Sequence, residues 1–261
     1  MLNATAMSSL VVRSENPSPT GRRGKPRILI VDDYPDARTL LAIALNRRGG
    51  YEVATAGSAA EALRLIDERF VRTTEEGSRV LDLDLLVLDI MMPDMTGLEL
   101  LQKLRDSFSS LPRVMVISAV DAHERLAEAL RLGASEYVSK PIELDLLLYK
   151  VRTILEEDET SPFHWGTITP GSDVVVGSER GIARAINEGG LWVEMTQGTR
   201  LGAGEVVSIE SAFFQECGLV RRVAGRVHRV RPLEQGVMVE LVFVGLAPRA
   251  VARIRAFSLA H

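Results

Sequence analysis

From residue 27 onward the apolar positions fall into short continuous runs separated by longer periodic stretches. Residues 28–31 (Ile-Leu-Ile-Val) form one such run, closed by Asp32-Asp33, as in a strand buried on both faces. Pro35 opens a stretch with Leu40, Leu41, Ile43, Ala44 and Leu45 at helical spacing, and Gly49-Gly50 closes it. Proline in the first turn and glycine past the end is the usual helix asymmetry. Residues 51–55 read as a second strand, and Ser58 is placed to cap a helix over 59–71, with Glu61 completing a capping box. Strands over 85–89, 114–118 and 136–139 then alternate with helices over 97–107, 121–132 and 144–157. Five short apolar strands alternating with five amphipathic helices predict an α/β domain with a five-stranded parallel sheet, doubly wound. The polar stretch 72–82 reads as a surface loop.

The pattern breaks at Glu156-Glu157-Asp158-Glu159 followed by Thr160-Ser161-Pro162, a composition suited to a domain boundary. Beyond it, strands are predicted over 181–186, 191–195, 206–210, 219–230 and 237–244. Val237, Val239, Leu241 and Phe243 supply a period-two face in the last of them. Pro248 starts a terminal helix with Val251, Ile254 and Phe257 on one side. A small antiparallel β-barrel with a C-terminal helix fits best. The organisation read from the chain is a disordered Pro/Gly/Ser-rich tail (1–24), an α/β domain (25–157), a linker (158–165) and the barrel (166–261).

Composition narrows the class. A hydrophobic fraction of 46% and a charged fraction of 25% are those of a soluble globular protein. There is no apolar run of about 18 residues to span a bilayer, and the first dozen residues lack the features of a secretion signal. Cys217 is the single cysteine, which points to a reducing compartment. A cytoplasmic protein without membrane insertion is expected. The net charge of −4 is uneven: residues 160–261 hold 11 arginines, no lysine and 9 acids, leaving 20 basic and 26 acidic residues to the rest. Guanidinium groups match phosphate geometry, although arginine-favouring codon usage accounts for the bias equally well.

In an open parallel sheet the working crevice lies beyond the carboxyl ends of the strands. Asp32-Asp33, Asp89, Ser118 and Lys140 fall at such ends in four different strands. Singly, each has an ordinary role as a turn residue, a cap or a solvated charge; together they form a constellation. Three gathered carboxylates call for a hard cation such as Mg²⁺. A carboxylate can attack phosphorus to form an acyl phosphate, while the cation and a lysine offset charge on the phosphoryl oxygens.

The segments Ile28-Leu-Ile-Val-Asp-Asp33, Leu86-Val-Leu-Asp-Ile-Met-Met-Pro-Asp-Met-Thr-Gly97, Val116-Ile-Ser-Ala119 and Tyr137-Val-Ser-Lys-Pro141 closely resemble the receiver domains of two-component response regulators, over residues 26–157. The resemblance implies a flavodoxin-like fold, Asp89 as phosphoacceptor, and Mg²⁺ held by Asp32, Asp33, Asp89 and the Met91 carbonyl. It further implies Ser118 and Tyr137 as paired switch residues, Lys140 as the phosphate-contacting lysine, and a cis Lys140–Pro141 bond. A sensor histidine kinase would be the partner, and a homodimer through the fourth and fifth helices is a family option.

Residues 166–261 resemble, more weakly, the PilZ domain, a small barrel that binds cyclic di-GMP. Its ligand turn maps to Ala185, Asn187 and Gly190, where the family has Asp or Asn, Ser and Gly. Arg180 and Arg184 have the spacing of its phosphate-binding pair but sit against the turn. Cyclic di-GMP held by Arg180, Arg184, Asn187 and Gly190 is one reading of the output; a degenerate barrel that docks a protein target is the other. A third uses the arginines of 221–231 for DNA, as a basic helix, although Gly225, Pro232 and the valines favour a strand. Enzymatic output is not expected. The histidines (His123, His164, His228, His261) have no metal-ligand spacing, and Asp82-Leu-Asp84 precedes its strand rather than ending it.

Overall fold

The computed structural model describes residues 24–75, 77–119, 122–155, 162–168, 172–196, 198–217 and 219–261. The predicted tail, apart from Gly24, and the acidic boundary at 156–159 lie outside them.

The first half is the expected parallel sheet, in the order β2-β1-β5-β6-β7, with β1 Arg27–Val31, β2 Glu52–Ala56, β5 Leu85–Asp89, β6 Arg113–Ser118 and β7 Glu136–Ser139. Helices α1 (Pro35–Ile43), α2 (Ala59–Arg69), α3 (Gly97–Ser107), α4 (Ala122–Arg131) and α5 (Leu144–Leu155) connect the strands. Because side chains alternate along a strand, β1 and β5 feed two cores. Leu29, Val31, Leu86 and Leu88 pack with Ala62, Ile66, Leu101 and Leu104 of α2 and α3. Ile28, Ile30, Leu85 and Val87 pack with Leu41 of α1 and Leu147 and Val151 of α5.

Local signals explain the helix ends, with two departures. Ser58 caps α2 by accepting from the Glu61 N–H at 3.1 Å, but the Glu61 carboxylate accepts from Gly57, one residue before the cap, at 2.7 Å. A complete capping box forms instead at Thr96 and Glu99, opening α3. The stretch read as a loop is a hairpin: β3 (Val71–Thr73) pairs with β4 (Arg79–Leu81). Leu81 turns inward at 6% exposure and joins the core beside α2 and α3, with Val71 opposite it in the ladder.

The second half is a closed six-stranded antiparallel barrel of β9 (Asp173–Val176), β10 (Glu179–Ile186), β11 (Gly190–Met195), β12 (Val206–Ser211), β13 (Arg222–Pro232) and β14 (Val237–Val244). Closure comes from the β10–β11 and β9–β12 pairings; β8 (Gly166–Thr167) adds to β10. The short β8 and β9 were not predicted from the sequence. Val174, Val193, Ile209, Val227, Leu241 and Phe243 fill the interior, and α6 (Pro248–Ala260) caps it through Ile254. The arginine-rich segment is β13, so the basic-helix version of the DNA reading is corrected. Its ladders to β12 and β14 set Val223 opposite Ile209 and Val227 opposite Leu241, and both valines are buried.

The two halves pack together. Helix α5 is apolar almost all round, and Leu146 through Val151 and Thr153 through Leu155 are buried, the mark of a helix enclosed on both sides. One side meets the sheet; on the other, Leu146 and Tyr149 meet Val242 and Val251 of the barrel. Val206, Ala224 and Val244 of the barrel join the core cluster that contains Leu126, Leu130 and Tyr137. Leu126 of α4 and Leu146 and Tyr149 of α5 are therefore covered by the chain's own second half.

Candidate functional site

The sequence-predicted residues converge at the carboxyl edge of the parallel sheet. Asp32 follows β1, Asp89 ends β5, Ser118 ends β6 and Lys140 follows β7. Asp32, Asp33 and Asp89 each bring a carboxylate oxygen within 4.8 Å of the others; Asp32 and Asp89 are buried and Asp33 is exposed. The Lys140 ammonium donates to Asp89 Oδ2 at 2.5 Å and to Asp32 Oδ2 at 3.0 Å. The Met91 N–H donates to Asp89 Oδ1 at 3.0 Å, and the Tyr34 N–H to Asp32 Oδ1 at 2.8 Å. Both aspartates are thus held by the loop that each strand runs into.

Two further residues, not singled out from the sequence, shape the pocket. Arg38 on α1 donates to the Asp32 carbonyl at 2.6 Å. A Cβ at Gly97 would lie 2.1 Å from the Asp89 carbonyl oxygen, so only glycine lets α3 start against the end of β5. Ser118 and Tyr137 are fully buried, and the Ser118 carbonyl accepts from the Lys140 N–H at 2.8 Å. The Lys140–Pro141 bond is cis, as the resemblance implied.

Burial and the Lys140 hydrogen bonds set the electrostatics of this pocket. Burial pushes the Asp89 carboxyl above its ordinary value, against the opposing pull of the Lys140 and Met91 hydrogen bonds. Burial also works against the Lys140 ammonium, but its hydrogen bonds to Asp89 and Asp32 outweigh that and hold it above the usual lysine range. Three carboxylates against one ammonium leave surplus negative charge around oxygen donors. That donor set fits Mg²⁺, which takes few carboxylates and retains sites for phosphate oxygens.

The second predicted constellation lies on the barrel. Arg180 and Arg184 are exposed on β10, with a bulge between Ala183 and Ala185. Arg184 is engaged by Glu194 Oε2 at 2.5 and 2.7 Å. Asn187 is fully buried, and its Oδ1 accepts from the Gly189 and Gly190 N–H groups at 2.8 Å each. A Cβ at Gly190 would lie 2.1 Å from the Leu241 carbonyl oxygen, and one at Gly189 would lie 2.6 Å from the Tyr149 ring. Asn187 and Gly190 therefore build a turn seated against α5. Asp82 and Asp84 sit at the opposite edge of the sheet, where Asp84 accepts from the Arg27 N–H and Asp82 from its guanidinium. Cys217 is buried, with its thiol pushed up to about 12 chiefly by that burial.

A third charged group was not anticipated. At the seam of the two halves Lys150, Glu136 and Arg226 are all buried. Lys150 Nζ lies 3.0 Å from Glu136 Oε1 and donates to the Phe243 carbonyl. Arg226 donates to the Thr153 carbonyl at 3.1 Å and to its hydroxyl at 2.8 Å. The available signal was a lysine set directly after Leu146-Leu147-Leu148-Tyr149 and before Val151.

Comparison with known proteins places residues 28–152 in the response regulator receiver domain family. The chain is 30% identical over 193 residues to the probable transcriptional regulatory protein TcrX of Mycobacterium tuberculosis, a match covering 74% of this chain and 69% of that one. It is 30% identical to the response regulator MprA of Mycobacterium leprae, over 66% of this chain and 68% of the relative. Among solved structures, TrrA from Thermotoga maritima, determined with Mg²⁺ and BeF, aligns at 32% identity over 50% of this chain and 99% of that chain, with a TM-score of 0.41. No described helix is long and apolar enough to cross a membrane.

Proposed function

The chain belongs to the response-regulator family, and on that premise we propose that it accepts a phosphoryl group on Asp89 and relays the change to its barrel. The observation that carries this reading is the buried Asp89 flanked by Asp32, Asp33 and Lys140 in one pocket. Asp32, Asp33 and Asp89, with the Met91 carbonyl, would hold Mg²⁺. When bound, the ion would offset charge on the phosphoryl oxygens. An Asp89 carboxylate oxygen attacks phosphorus as the bond to the donor breaks, and the leaving group departs with the electron pair. Lys140, which bridges Asp89 and Asp32, is positioned to transfer its hydrogen bonds to the phosphoryl oxygens. Ser118 would donate its hydroxyl to the same group. The new contacts favour the conformer that makes them better, a population shift carried by Ser118 and Tyr137.

A sensor histidine kinase would supply the phosphoryl group, and the protein would act as a phosphoacceptor rather than as an enzyme with a turnover product. For the output, protein docking is the reading the barrel's contacts support. The PilZ-like turn spends Asn187 Oδ1 on its own backbone, and Arg184 is paired with Glu194, which leaves few groups for cyclic di-GMP. Arg221 and Arg222 are likewise paired with Glu210, and Arg226 is buried, which weakens the DNA reading suggested by the relatives' names. Incubation with acetyl phosphate and Mg²⁺, followed by intact-mass measurement, tests the phosphoacceptor claim. A gain of one phosphoryl group that disappears with chelator is expected; no gain in wild type overturns it. Calorimetric titration of cyclic di-GMP tests the output: saturable binding lost in Arg180→Ala would replace docking by nucleotide sensing.

A further inference from the structure

Strand β7 leads directly into Lys140, and the barrel holds this segment at three points. At its start, Glu136 is gripped by Lys150, whose ammonium also reaches the Phe243 carbonyl of β14. One residue on, the Tyr137 carbonyl accepts from the Gly245 N–H of the barrel at 2.9 Å. Beyond Pro141, Glu143 meets Arg255 of α6. Arg255 Nη2 lies 2.5 Å from Glu143 Oε2, and its Nε lies 2.7 Å from Glu188 Oε1 on the turn that follows β10. Glu188 is 5% exposed. These hydrogen bonds hold the Arg255 guanidinium above its ordinary value, as a cation shared by two carboxylates should be.

We infer that Arg255 is a positioning residue for Lys140: by clasping Glu143 to Glu188 it fixes the loop that aims the lysine at Asp89. This rests on the phosphoacceptor reading above. Lys140 and Glu143 are three residues apart, so a loop pinned at Glu143 leaves the lysine little room to swing. Restricting it before ligand arrives removes an ordering cost from binding. The coupling is reciprocal, so occupation of the Asp89 pocket also tightens the barrel's hold on the receiver.

The test uses the full chain with Mg²⁺ and beryllofluoride, a phosphoryl mimic, titrated into wild type, Arg255→Ala, Glu143→Gln, the double variant and Asp89→Asn. Each clasp variant is expected to weaken beryllofluoride binding about five-fold or more, the lower end of typical coupling. The double variant should be no weaker than the singles, because both remove one contact. Arg255→Lys, which keeps the charge, should recover part of the affinity. A purely structural role would lower the melting temperature and leave the affinity untouched; that result, or additive losses, overturns the inference. Failure of wild type to bind, or equal binding by Asp89→Asn, would instead sink the phosphoacceptor reading itself.

Discussion

Strand β7 has a charged cluster at each end, and the two are opposites. Past its carboxyl end, Asp32, Asp33 and Asp89 surround a single ammonium from Lys140, with Asp33 exposed. At its amino end, Glu136 faces two cations, Lys150 and Arg226, all buried, and backbone carbonyls of Phe243 and Thr153 accept hydrogen bonds from them. The first cluster has surplus negative charge and an open side; the second has surplus positive charge and is sealed. A charged cluster that keeps an opening and an unmatched charge is built to take something in. One that is buried between β7, α5 and β13 ties two bodies together.

Breaking each cluster should produce different losses. Asp89→Asn is expected to abolish phosphorylation by acetyl phosphate, checked by intact mass, while leaving the urea unfolding midpoint near that of wild type. Glu136→Gln should keep the pocket but leave Lys150 and Arg226 uncompensated, costing about 3–5 kcal/mol in urea unfolding, the usual penalty for removing one partner of a buried ion pair. Glu136→Gln combined with Lys150→Met should recover part of that loss, because it removes one of the two uncompensated cations and leaves Arg226.

The sealed cluster also predicts a pH dependence. Burial is the largest influence on Lys150 and pushes its ammonium below the ordinary value of 10.5, against the opposing effect of Glu136. The unfolded chain therefore binds that proton more readily than the native one, so this group's contribution to stability rises as pH climbs towards 10.5 and is lost as pH falls through the native value. Wild type should accordingly gain stability relative to Lys150→Met as pH is raised from neutrality towards 10.5, measured by urea unfolding. A loss of stability relative to the variant over that range would contradict the assignment. The smallest expected effect is at the mouth of the pocket: Thr96→Ala removes the α3 cap and should cost about 1 kcal/mol without abolishing phosphorylation.

The contrast also explains what the sequence made legible. The cluster of carboxylates with Lys140 could be read because each member sits at the end of an apolar strand run, and parallel topology brings such ends together. The sealed cluster could not, because Glu136, Lys150 and Arg226 meet only when β7, α5 and β13 pack across two halves whose mutual placement leaves no periodic signal. Strand edges failed for a related reason. Gly166–Thr167 and Asp173–Val176 are too short to show alternation, and the second of them is needed to close the barrel. The Asn187–Gly190 turn resembled a ligand motif, yet its glycines are required by the Tyr149 ring and the Leu241 carbonyl. Close backbone packing and ligand approach demand the same residue type.

The most direct test of the central claim is to treat the chain with acetyl phosphate and Mg²⁺, reduce the product with borohydride, and sequence the peptides. An acyl phosphate is reduced to the alcohol, so the account predicts homoserine at position 89 and nowhere else. Unmodified Asp89, with reduction at another carboxylate, would contradict it.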